Sequence, residues 1–113
     1  MDSNQNINAA MNNRQSTWNE IIRITHSMHT YASNEEWDNV SEMEAIRQVM
    51  MKNFFDQSPS LVEAEWIAKG INEILELDKD IMKQGRERMG IISQQLHTIN
   101  AGMKAGKEYR KFA

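Results

Sequence analysis

Apolar residues recur at helical spacing along almost the whole chain. At about 100° per residue, Met11, Trp18, Ile21, Ile22, Thr25, Met28, His29 and Ala32 share one face, which predicts a helix from about Met11 to about Tyr31. Trp37, Val40, Met43, Met50, Met51, Phe54 and Phe55 form a second arc, and a second helix reaches about Phe55. From Ala64 onward Ile67, Ile71, Ile74, Ile81, Met89, Ile92, Leu96, Ile99 and Met103 keep to a third seam, interrupted by Asp78 and Gly85. Almost every long window is helical and none alternates with the period of two that a half-buried strand requires, so the fold class is all-α.

The breaks fall between these arcs. The first ten residues are rich in asparagine and are expected to fray, leaving a flexible segment 1–10 ahead of a single helical domain, 11–113. Ser33 with Glu36 and Ser60 with Glu63 have the spacing of a capping box, in which each side chain satisfies a free amide at a helix start. Pro59 stops the second helix, because it lacks an amide proton and disfavours helical geometry in the residue before it. Asn100 to Gly102 reads as a helix stop, with a short fourth helix after it. The expected architecture is an antiparallel helical bundle of three main helices, the third overlong, plus a short C-terminal fourth helix.

The third helix is the odd one. At 1.5 Å per residue, residues 61–100 span about 60 Å, against roughly 30 Å for the first helix. Short connections make neighbours antiparallel, so residue 47 should lie level with about residue 69, and residue 37 with about residue 79. Beyond residue 82 the seam has no partner in the chain unless the fourth helix folds back or a second molecule supplies one. A large exposed apolar stripe usually marks a partner site. Ile81, Met82, Met89, Ile92, Leu96 and Ile99 are therefore the candidate client-binding residues. The chain holds nine methionines, whose flexible thioethers let a surface repack against different shapes. Those on the second helix read as core, whereas Met82, Met89 and Met103 follow the open seam.

Four polar residues lie within or beside the stripes. Arg47 and Glu44, three apart on the second helix, can pair with each other, and the guanidinium can stack on the ring of Trp18 or Trp66. Asp78 is expected level with His29 and within reach of its imidazole. Glu44, Arg47, Asp78 and His29 thus form the candidate structural polar layer, which sets register more than it adds stability. The competing reading leaves Arg47 open to receive a client carboxylate. His26 and His29 form an H-x-x-H pair, but two ligands without a third and fourth make a poor metal site, so no metal is expected.

Composition narrows the function. With 113 residues, 40% of them apolar, the chain suits one small domain. Cysteine is absent, so no disulfide framework is available. The formal charge of −3 argues against direct nucleic-acid binding, which needs a basic face; only Lys104, Lys107, Arg110 and Lys111 make the tail locally basic. No window approaches the roughly 20 apolar residues of a membrane span, and the N-terminus has no signal-peptide pattern. A cytoplasmic protein without membrane insertion is expected. There is no Gly-rich phosphate loop, cysteine nucleophile or set of convergent acids, so neither an enzyme nor a cofactor is expected.

Three features occur in order: an aromatic followed by Glu and Arg in the apolar arc (Trp37, Glu44, Arg47), a long third helix carrying Leu77 and Asp78, and a terminal "AGKEYRKF" helix. In these the chain resembles the FliT family of flagellar type III export chaperones, over about residues 15 to 112. The resemblance does not take in the C-terminal extension that some members carry. The resemblance implies a cytoplasmic chaperone that binds the C-terminal region of the flagellar filament-cap protein, keeps it from assembling early and delivers it to the export apparatus. It also implies contacts with the export ATPase, and with an export-gate membrane protein through a tyrosine of the last helix, matched here by Tyr109. The alternatives are a dimeric helical structural or interaction protein, a homodimer burying the same stripe, and an antagonist of a flagellar transcription regulator. The pattern alone does not rank client against partner subunit.

Overall fold

The computed structural model describes the backbone of residues 2–112 and the side chains of residues 13–103. It holds three helices, α1 (Asp2–Ser33), α2 (Trp37–Asp56) and α3 (Leu61–Phe112), and no strand among the described residues. Two expected boundaries differ. Helix α1 begins at Asp2, not near Met11. Helix α3 runs unbroken through Asn100 to Gly102 up to Phe112, so the separate fourth helix is not seen. A glycine stops a helix when the chain needs a left-handed residue there, and no glycine among the described residues has positive φ.

The turn between α1 and α2 also departs from expectation. Glu35 takes φ 60°, the Glu36 amide bonds the Tyr31 carbonyl at 2.8 Å, and the Glu35 amide bonds the Ala32 carbonyl at 3.1 Å. This is a Schellman closure of α1, with glutamate where glycine would be unstrained. The expected Ser33–Glu36 capping box does not form: Ser33 stays in α1 and its hydroxyl donates to the His29 carbonyl at 3.0 Å. The Glu36 amide is already committed to Tyr31. The second box does form, with the Ser60 amide on Glu63 Oε1 at 2.9 Å and the Glu63 amide on Ser60 Oγ at 3.3 Å.

The chain divides into two units, residues 1–81 and residues 82–113. In the first, α1 and α2 pack together and two apolar clusters form. Trp18, Ile21, Phe54, Ile67 and Ile74 make one, and Ile24, Met28, Ala32, Val40 and Ile81 the other. Each draws on all three helices, and the second includes Ile24, which the expected α1 face left out. Rings reinforce the first cluster: Trp18 stacks on Phe54 at 5.1 Å between centroids, and Phe54 meets Phe55 edge-on at 5.1 Å, the offset and T-shaped geometries that aromatic quadrupoles favour. The second unit is the continuation of α3.

Candidate functional site

Between the two apolar clusters lies a polar layer. Thr25 sits between Ile21 and Met28 on α1, Arg47 between Val40 and Phe54 on α2, and Asp78 between Ile74 and Ile81 on α3. Arg47 is only 7% exposed. Its Nη1 donates to Asp78 Oδ1 at 2.7 Å and to Thr25 Oγ1 at 3.2 Å, and its Nη2 donates to Glu44 Oε2 at 2.5 Å. The Thr25 hydroxyl in turn donates to the Ile21 carbonyl at 2.9 Å. Arg47 Nε is buried without a hydrogen-bond partner among the described residues. Burial by itself would push the guanidinium down, but the hydrogen bond and charge of Asp78, with Glu44 behind it, leave it above its ordinary value.

The structure therefore brings Glu44, Arg47 and Asp78 together and leaves His29 out. The expected Asp78–His29 pair is replaced by His29 with Asp80 at 2.5 Å, and His26 pairs with Glu73 at 2.6 Å. The reason is register. Val40 and Ile81 share a cluster and Arg47 reaches Asp78, so α2 meets α3 farther along than residue 47 against residue 69. Residues 57–60 lie outside both helices, and the long guanidinium stem adds its own reach. With both terminal nitrogens of Arg47 engaged and Nε buried, the open-arginine reading for a client carboxylate loses an accessible donor.

Two residues of this layer's surroundings escaped the sequence reading. Arg14 pairs with Glu63, donates from Nη1 to the Phe54 carbonyl at 3.1 Å and lies 4.2 Å above the Phe54 ring. The cation over an aromatic face is thus Arg14, not Arg47. Its spacing to Trp18 and Ile21 puts a charge in the α1 stripe, the same signal that singled out Arg47. Arg14, with the Ser60 amide behind it, holds the Glu63 carboxyl below the ordinary glutamate range. Gly70 is the second: a Cβ there would lie 2.7 Å from Trp18 Cε2 and 2.9 Å from Ile22 Cδ1. Helix α3 can approach the buried indole only because that carbon is missing.

The candidate client face divides. Ile81 is 8% exposed and belongs to the second core cluster, so it is not available. Within the second unit, Met82 (60% exposed), Met89 (62%), Leu96 (55%), Ile99 (56%) and Met103 (63%) stand open, while Ile92 is half-buried. By helical spacing they occupy one arc of α3 about 100° wide, the width of a stripe that normally packs on something. The Tyr109 side chain lies outside the described residues.

Residues 15–111, which include the polar layer and the open stripe, match the family described as Flagellar protein FliT. The chain belongs to the FliT family. No curated protein and no solved structure matches it. FliT proteins are flagellar export chaperones, and the helical bundle of this FliT-family chain fits that class. Among its described residues no helix is long and apolar enough to cross a membrane.

Proposed function

We propose that this FliT-family chain is a cytoplasmic type III export chaperone that binds the C-terminal region of the flagellar filament-cap protein and delivers it to the export apparatus. The observation that carries the reading is the stripe of Met82, Met89, Ile92, Leu96 and Ile99, apolar at helical spacing and largely open to solvent. Contiguous apolar surface on a monomer costs solubility unless a partner covers it. An amphipathic client helix laid along it would bury its own apolar face in the same act, and the methionines let the face adapt to the client's side chains. The resemblance adds the export ATPase and an export-gate membrane protein as later contacts, the latter through Tyr109. The bundle of residues 1–81 keeps its polar layer internally paired and serves as the scaffold.

The test is capture of the purified C-terminal segment of the filament-cap protein by the full chain. Ile92→Asp with Leu96→Asp should abolish capture while helicity by circular dichroism stays unchanged. Full capture by that variant refutes the docking face. Tyr109→Ala should keep cap-protein capture and lose binding to the cytoplasmic part of the export gate; loss of both, or of neither, removes Tyr109 from that role.

A further inference from the structure

The chain has no cysteine and nine methionines, so no thiol competes with its thioethers for a two-electron oxidant. The described methionines fall into two sets. In residues 1–81, Met28 is 3% exposed and belongs to the second core cluster, Met50 and Met51 pack against the first cluster, and Met43 and Met50 against the second. In residues 82–113, Met82, Met89 and Met103 are each at least 60% exposed. Their spacing of 7 and 14 residues keeps them within an arc of about 60° on α3, on one line with the exposed Leu96.

We propose that Met82, Met89 and Met103 form a peroxide-sensitive modification site, whose oxidation to methionine sulfoxide switches the docking face off. The inference rests on the docking face proposed above and adds its regulation. The step is an oxygen-atom transfer from hydrogen peroxide. A sulfur lone pair attacks one peroxide oxygen, the S–O bond forms as the O–O bond breaks, and the departing hydroxide takes the remaining proton to leave as water. Each sulfur is oxidised by two electrons and the peroxide is reduced by two.

Exposure decides what the product does. A sulfoxide oxygen accepts hydrogen bonds strongly, and on an open side chain water supplies them, so the free chain keeps its fold. Under a docked apolar surface the same oxygen has no donor, and burying an unsatisfied polar group is costly. Oxidation therefore weakens the docked state and leaves the undocked one as it was. Met28 differs, because an oxygen there would enter a packed core, and the same packing keeps peroxide from its sulfur. Solvent access also leaves the three sulfoxides open to methionine sulfoxide reductases, one enzyme for each epimer, which makes the change reversible.

The experiment treats the full chain with hydrogen peroxide, removes the excess with catalase and maps the sulfoxides by peptide mass spectrometry. Met82, Met89 and Met103 should be oxidised well before Met28, with helicity and the urea midpoint unmoved. Affinity for the purified C-terminal segment of the filament-cap protein should fall about tenfold or more and return after treatment with both reductases. Met82→Leu with Met89→Leu and Met103→Leu, compared with its own untreated affinity, should lose nothing to peroxide. Loss of capture in that variant, or oxidation that reaches Met28 as fast as the other three, overturns the proposal. A urea midpoint that falls as the three are oxidised assigns the loss to unfolding and also overturns it. Selective oxidation with capture unchanged overturns the switch and leaves the docking face standing, whereas a chain that captures nothing before treatment overturns both.

Discussion

Arg47 shows how one side chain fixes the pairing of three helices. Its guanidinium reaches Thr25 on α1, Glu44 on its own helix and Asp78 on α3, so sliding any helix by one turn would break a buried charge contact. Such a layer adds specificity more reliably than stability. Arg47→Met should lower unfolding free energy by about 2 kcal/mol, because Asp78 loses its counterion while keeping partial access to water. Adding Asp78→Leu should recover most of that loss, and urea denaturation of the two single variants and the double variant measures the coupling. An additive cycle would mean that the two side chains do not act as a pair. Gly70→Ala tests packing: the new methyl must displace Trp18 or Ile22, and overpacking of this kind costs about 1–3 kcal/mol, read as a lower urea midpoint at an unchanged slope. Arg47 was visible in the sequence because a charge interrupts an apolar arc. Arg14 carries the same mark, but only the structure tells which carboxylate and which ring it meets.

At the scale of elements, the ends of the helices carry the information. The start of α3 is tied by the Ser60–Glu63 box and by the Arg14–Glu63 ion pair, which also joins it to α1. Glu63 has its folded pKa depressed by Arg14, so its stabilisation is present above the ordinary glutamate pKa near 4.5 and fades as pH falls through the lower folded value. Thermal melts of the native chain and of Glu63→Gln should therefore differ at neutral pH and converge in acid. A gap that does not narrow at all as pH falls below the ordinary glutamate range would assign the effect to packing. At the other turn, Glu35→Gly should raise stability by about 1 kcal/mol by relieving the left-handed backbone, provided the Schellman closure survives; an unchanged melting temperature would show that the glutamate side chain offsets its strain. The Ser60 box was legible from spacing. The Ser33 box was not, because the Schellman hydrogen bonds compete for the same amide and spacing does not record that competition.

For the whole molecule, the contrast lies between a packed unit with three helices and a unit made of one helix with an open apolar arc. Isolated helices are marginal in water, and most helical stability in proteins comes from packing. Hydrogen exchange should be slow for amides of residues 21–32, 40–54 and 67–81 and fast for residues 89–103. Equal protection of both groups in the free chain would deny that the stripe lacks a covering element. The sequence by itself determined the helical class, most of the residues facing the core clusters, the polar interruption of the stripes and the run of apolar positions along α3, because each follows from a 3.6-residue period that one chain of letters displays; it left out Ile24 and gave Ile81 to the open face, and both are core. It misplaced the start of α1, the length of α3, the register of α2 on α3 and the partner of His29. Only the tertiary structure decided those, because helix ends and register depend on which of several competing hydrogen bonds and contacts is met at once in three dimensions, and a periodicity read along one helix says nothing about its offset from the next.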